Sequence, residues 1–156
     1  MTRQHFIEYV KDNQERLRRY LMALCCGDSQ TADDIAQETY MKAYLGADTF
    51  RDESRFSTWI YRIAYNTFVS HRRSCRPTDD IENANGVMAE APSDYQELYM
   101  ALDRLSEKER SAVLLYYIQG YAVKEIAEVM NSTENAVKTL LSRGRAHLRD
   151  LLNKLN

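Results

Sequence analysis

Residues 123–145 read V-K-E-I-A-E-V-M-N-S-T-E-N-A-V-K-T-L-L-S-R-G-R, and they constrain the fold more than any other stretch of the chain. Two amphipathic helices are written there with almost nothing between them. Ile126, Val137, Leu140 and Leu141 supply apolar anchors for one shared core. Ala127 is the small residue on which the second helix packs. Asn131 tolerates the left-handed backbone that so tight a turn needs, and Thr133 is a good N-cap for the second helix. The pattern predicts a helix-turn-helix. Two residues work against it: Gly144 weakens the second helix by roughly 1 kcal/mol relative to Ala, and Ala122 offers the first helix no side-chain cap.

With those anchors inward, Glu134, Asn135, Lys138, Thr139, Ser142, Arg143 and Arg145 face outward. The amide of Asn135 suits adenine, while Lys138, Arg143 and Arg145 suit guanine or phosphate. A helical hairpin with a solvated basic face has the same local pattern, so both readings stand at this point.

The rest of the chain is helical too. Gly (5) and Pro (2) are scarce among 156 residues, which disfavours many-turned β architectures. Phe6, Val10, Leu17, Leu21 and Leu24 mark a first helix from about residue 2 to 26, closed by Gly27. A second begins near Thr31, the expected N-cap, with Asp33 and Asp34 in its first turn, and ends near Gly46. A third runs from about 56 to 73 on a stripe of Phe56, Trp59, Ile60, Ile63, Ala64 and Phe68. Tyr95, Leu98, Tyr99 and Leu102 form a further stripe. Ser106 and Glu109 make a capping box, opening a helix that carries Ala112, Val113, Leu114 and Tyr117 and stops at Gly120. The expected architecture is all-α. Two small helical domains, 1–75 and 94–156, are joined by a polar, acidic linker at 76–93 that leaves them free to move unless a partner fixes them.

The net charge of −2 argues against a nucleic-acid binder until it is divided along the chain. Residues 77–103 carry seven acids and no Lys or Arg; residues 50–76 carry six Arg against two acids; residues 135–149 carry four basic residues and no acid. Screening over roughly 8 Å makes the local stripes decisive for phosphate. Cys25, Cys26 and Cys75 stand at no metal-site spacing. His71 and Cys75 share a helix face, but no C-x-x-C completes a set, so free thiols are expected and neither a metal nor a cofactor. No paired carboxylates, nucleophile elbow or P-loop suggests a catalytic site. The N-terminus lacks the apolar core of a signal peptide and no run spans a bilayer, so a cytoplasmic location is expected.

Three blocks in order resemble the extracytoplasmic-function sigma factors, the smallest members of the sigma-70 family of RNA polymerase sigma factors. They are A-D-D-I-A-Q-E-T-Y-M-K-A-Y at 32–44, F-R-D-E-S-R-F-S-T-W-I-Y-R-I-A-Y-N-T-F at 50–68, and the helix-turn-helix at 123–145, preceded by L-S-E-K-E-R at 105–110. The resemblance implies an initiation factor that binds core RNA polymerase, at its clamp coiled coil and flap, and directs it to promoter DNA. It assigns Asp34, Gln37, Glu38 and Lys42 to the clamp. It assigns the second block to opening DNA and holding the minus-ten strand, through Arg51, Arg55, Ser57, Arg62 and Asn66, with Arg72 and Arg73 on phosphates. The loop before Phe56 is the expected base pocket. The helix-turn-helix is assigned to the minus-thirty-five duplex. An anti-sigma partner is implied as well, and no small-molecule substrate. Ser132, Leu140 and Ala122 depart from the family's usual residues. Two other functions remain: a one-component regulator acting without polymerase, which leaves block 50–73 unexplained, and a helical adaptor with no DNA affinity.

Overall fold

The computed structural model describes residues 2–50, 55–74 and 93–155. The linker expected at 76–93 therefore lies outside the described residues, apart from Ser93, and so does Cys75. Among the described residues there is no strand.

α1 (Arg3–Leu24) starts at Thr2, whose hydroxyl accepts from the His5 amide at 3.2 Å. It ends where Cys26 and Gly27 both take positive φ, 54° and 90°. α2 (Ser29–Leu45) begins earlier than the sequence suggests. Its N-cap is Asp28 rather than Thr31: the Asp28 carboxylate accepts from the Thr31 amide at 3.2 Å and the Thr31 hydroxyl at 2.5 Å. An ionised oxygen is the stronger cap because it also complements the helix dipole. A short turn, Ala47–Thr49, leads from α2 towards α3 (Phe56–Ser74). Leu17, Leu21, Leu24, Ile35, Ile60 and Phe68 close the N-terminal core, with α2 packed on both α1 and α3.

The second half holds α4 (Ser93–Asp103), α5 (Glu107–Val113), α6 (Val123–Val129) and α7 (Glu134–Leu155). The capping box forms as expected: Glu109 N donates to Ser106 Oγ at 3.1 Å, and Ser106 N to Glu109 Oε1 at 3.2 Å. Beyond Val113 the helix widens into a π-type turn, Leu114–Ile118, where Gln119 N reaches back to Leu114 O at 3.1 Å. The extra residue in that turn rotates Tyr117 out of the expected stripe and into solvent. Tyr95 and Leu98 are exposed too, so only Tyr99 and Leu102 of their stripe are core. Gly120, at φ 77°, reverses the chain.

The helix-turn-helix is built as the sequence predicts. Asn131 takes φ 50°, Ser132 N closes on Ala127 O at 2.9 Å, and Thr133 Oγ1 accepts from Ala136 N at 3.1 Å. Ala122 gives no side-chain cap, but Glu125 Oε1 accepts from its amide at 3.2 Å, which supplies half of a capping box. Gly144 has a packing reason. A Cβ there would stand 2.6 Å from Val113 Cγ2, so glycine is what lets α7 lie against α5. Gly144→Ala should therefore lower the melting temperature, because overpacking of about 1–3 kcal/mol outweighs the helix-propensity gain of about 1 kcal/mol. In combination with Val113→Ala the total loss should be smaller than the sum of the two single losses.

The largest departure from expectation is that the two halves pack against each other. α6 lies on α3, and the π-type turn lies on α1. Tyr61 and Tyr65 are buried on α3 outside its apolar stripe, because the second half covers that side. Tyr20, Tyr61 and Tyr121 run through the seam as edge-on pairs, with centroids 5.2 and 5.5 Å apart. Their polar ends are met: Tyr20 Oη and Ser111 Oγ lie 2.8 Å apart, and Tyr61 Oη donates to Gln119 Oε1 at 2.8 Å. Arg16 Nη2 donates to Gln119 O at 3.1 Å, and Gln119 Nε2 returns a bond to Arg16 O at 3.4 Å. Buried aromatic area of this kind dominates interface energetics, and the met hydroxyls remove the penalty of burying them.

Candidate nucleic-acid and polymerase interfaces

Three surfaces carry the candidate residues. On α2, Asp34, Gln37, Glu38 and Lys42 are all exposed. Their spacing of three, four and eight places them on one helix face. Lys42 Nζ donates to Thr67 Oγ1 at 3.2 Å, which ties the end of that face to α3. The same face also presents Met41, 64% exposed, and Leu45, 76% exposed. Sequence reasoning missed these two because apolar residues on an amphipathic helix are assigned inward by default. Their recurrence seven and eleven residues after Asp34 is the signal that puts them outward. A charged face with two solvated apolar side chains is suited to protein contact.

The second surface is α3 with the chain leading into it. Arg51 lies outside the described residues, as does the side chain of Arg73. Arg55, Arg62 and Asn66 are exposed, and Ser57 is half-buried. Arg55 Nη1 stands 3.4 Å from Glu125 Oε2, and Arg72 Nε donates to Glu107 Oε1 at 2.8 Å. Arg62 lines a cleft of about 420 Å³ with Lys124, Glu128, Asn131, Thr133 and Glu134 of the helix-turn-helix. The sequence placed these partners in separate bodies. Phe56 is core, packed against Phe6, Phe50 and Trp59 with centroids 6.1, 5.9 and 5.6 Å away, and stacked on Tyr9 at 4.9 Å. Trp59 and Phe50 are half-buried at the edge of this cluster, and residues 51–54, where the base pocket is expected, lie outside the described residues.

The third surface is α7. Glu134, Asn135, Lys138, Thr139, Ser142, Arg143 and Arg145 are all exposed, while Val137 and Leu141 are buried. The exposed set covers about half the helix circumference. Arg145 Nη1 donates to Tyr117 Oη at 2.9 Å, a contact made possible by the outward-turned π-type segment. Thr139 Oγ1 is engaged with Asn135 O at 3.1 Å, leaving the Asn135 amide itself outward.

Neither thiol among the described residues, Cys25 or Cys26, fits a reactive site. Burial pushes Cys25 and Cys26 up to about 12, so both are neutral at pH 7, and the neutral thiol is not the nucleophile. Among the described residues no group of three His, Cys, Asp or Glu stands close enough to hold a metal ion, and no helix is long and apolar enough to cross a membrane.

Two family models match the chain: Sigma-70 region 2 over residues 9–77, and Sigma-70, region 4 over residues 95–148. The chain is 32% identical to the ECF RNA polymerase sigma factor SigW of Bacillus subtilis over 148 residues, which covers 83% of this chain and 79% of that protein. It is 31% identical to the ECF RNA polymerase sigma factor SigM of Mycobacterium tuberculosis over 156 residues, covering 97% and 79%. Its fold superposes on the sigma factor RpoE of Bartonella quintana, solved in complex with the anti-sigma factor NepR, with a TM-score of 0.81 at 26% identity; the match covers 96% of this chain and 98% of that one. It also superposes on CnrH, solved with the cytosolic domain of CnrY, at 0.74 and 25% identity.

Proposed function

The chain belongs to the sigma-70 family of RNA polymerase sigma factors, in the extracytoplasmic-function group, and we propose how its three surfaces divide the work of directing core polymerase to promoters. The α2 face, with Asp34, Gln37, Glu38, Met41 and Lys42, docks on the polymerase clamp coiled coil. α3 and the chain before it hold the minus-ten strand: Arg51, Arg55, Arg62, Arg72 and Arg73 on phosphates, Ser57 and Asn66 on base edges. Unstacked bases need aromatic or apolar platforms beside hydrogen-bonding groups, and the half-buried Phe50 and Trp59, with ring centroids 5.2 Å apart, offer such platforms. α7 enters the major groove of the minus-thirty-five element, its N-terminal residues on bases and its later ones on the backbone. Region 4 also meets the polymerase flap. The domains divide at 1–75 and 94–156, and the acidic segment between them follows positively charged polymerase channels.

The observation that carries this reading is the outward, unburied set of seven polar side chains on α7 behind a formed turn and cap. The region 2 match over 9–77 rules out the one-component regulator, which has no use for that half. The protein works in the cytoplasm, where its polymerase is, and performs no catalysis of its own. An anti-sigma partner is supported by the likeness to RpoE, which was solved in complex with the anti-sigma factor NepR and superposes on this chain with a TM-score of 0.81 over 96% of its length. Transcription by core polymerase on a promoter library should yield promoter-specific transcripts only when this protein is present. Folded protein that binds polymerase and yields none would overturn the reading.

A further inference from the structure

Six aromatic rings of the first half are linked in one cluster: Phe6 and Tyr9 on α1, Tyr44 on α2, Phe50 beyond it, and Phe56 and Trp59 on α3. Phe56 is the ring most of the others touch, and it is buried. Two tyrosines on the cluster are exposed, and they are held differently. Tyr44 meets Phe6 edge-on, with centroids 5.6 Å apart and planes at 72°. Tyr9, 41% exposed, lies nearly parallel to Phe56, with centroids 4.9 Å apart and planes at 21°.

A stacked ring spends one face on its neighbour and turns the other away from it. Tyr9 thus offers a flat π-face directed away from Phe56 and already fixed by the core beneath it, which is the form a base-stacking platform takes. An unsupported surface tyrosine would lose rotamer freedom on binding; this one has already lost it to the stack. The platform is continuous with the surface assigned to the minus-ten strand. In the chain Phe56 stands between Arg55 and Ser57, both assigned contacts, and Arg55 is exposed. Phe50 and Trp59, the half-buried rings of the same cluster, each touch Phe56 as well. α1 carries none of the contacts assigned so far, because an aromatic residue on an amphipathic helix is read as core by default.

We propose that Tyr9 is a further contact to the melted minus-ten strand, stacking one unpaired base on the ring face it turns away from Phe56. This rests on the assignment of α3 to that strand. It brings α1 into a site otherwise built from α3 and the chain before it. Stacking reads no base edge, since every base has a π-face. Tyr9 therefore holds a base in place and adds affinity at one position, while selectivity stays with Ser57 and Asn66.

The test uses polymerase carrying the full chain and a promoter fragment selected by the native protein, with its minus-ten region left unpaired. The non-template strand is made intact and as a series with one abasic site at each minus-ten position in turn. Tyr9→Leu keeps apolar cover over Phe56 and removes the π-face, and it should weaken binding of the intact fragment by about tenfold. One abasic position should weaken binding by the native protein by a similar factor, and at that position alone Tyr9→Leu should cost nothing further. Tyr9→Phe keeps the ring and should bring affinity back to within about twofold of the native value. A purely structural role for Tyr9 gives a loss of equal size on every probe, and that result would overturn the proposal. So would a Tyr9→Leu variant that binds the intact fragment as tightly as the native protein, or a Tyr9→Phe variant as weak as Tyr9→Leu. Asn66→Ala on the same probes tests the assignment beneath. If it leaves affinity unchanged, the α3 reading falls and this proposal with it; if it weakens binding where Tyr9→Leu does not, only the stacking contact is removed.

Discussion

Arg110→Met should lower the unfolding free energy by about 3 kcal/mol, the largest loss expected from any single substitution away from the hydrophobic centres. Arg110 is only 6% exposed, yet it carries a full charge. Its guanidinium donates to Leu24 O at 2.6 Å, Leu102 O at 2.9 Å and Leu105 O at 3.3 Å. Those carbonyls lie at or just beyond the C-terminal ends of α1 and α4, where the dipole concentrates negative charge. Asp103, 3.9 Å away, adds to it. The cation thus satisfies several helix-end acceptors at once and bridges the halves. Methionine fills the volume but leaves carbonyls without a donor, at about 1–3 kcal/mol each, though Leu102 O keeps the Leu105 amide at 3.1 Å. Arg110→Lys should recover less than half of the loss, because one ammonium cannot reproduce a planar fork spanning three acceptors. Urea unfolding followed by circular dichroism measures both. A loss below about 1 kcal/mol for Arg110→Met would show that water satisfies those carbonyls.

The contrast between Arg110 and Asn131 marks what was legible in the sequence. Asn131 needs a left-handed backbone for reasons entirely local to its turn, so its role is readable from neighbours in the chain. The same holds for Ser106, Glu109 and Thr133, whose capping partners lie three residues away. Arg110 stands within the L-S-E-K-E-R run and looks like surface charge; its partners come from Leu24, 86 residues back, as well as from nearby. Tyr61 and Tyr65 fail for a related reason. A helix buried on two sides by different parts of the chain has no single stripe, and periodicity finds only the stronger one. Tyrosine at those positions is explained by the seam, which offers apolar bodies a burial site and gives two of the hydroxyls, those of Tyr20 and Tyr61, a partner across it. The expectation of independently moving halves came from composition, and composition says nothing about whether two globular surfaces are complementary. The π-type turn was equally hidden, because its extra residue is set by packing and shifts Tyr117 by a fraction of a turn.

On α7 the expected effects are large enough to separate the contributions of individual side chains. Together, Lys138→Ala and Arg143→Ala should weaken binding of the polymerase complex to a promoter fragment selected by the native protein by about 30-fold or more, at about 1–3 kcal/mol per lost contact. The salt dependence tells what each contact was. Loss of a phosphate contact reduces the slope by about 0.9, whereas loss of a base contact leaves the slope nearly unchanged and relaxes selectivity at one position. Lys138 lies one turn into α7 and Arg143 a further turn and a half on, so Lys138→Ala should alter selectivity and Arg143→Ala the salt slope. Arg145→Ala should do less than either. Its guanidinium is already bonded to Tyr117 Oη at 2.9 Å, and reaching a phosphate would mean giving up part of that bond. Tyr117→Phe frees it, and should therefore increase the penalty of a subsequent Arg145→Ala. If the Lys138 and Arg143 substitutions leave affinity unchanged at low salt, α7 does not face the duplex, and the exposed basic set on it is a solvated face.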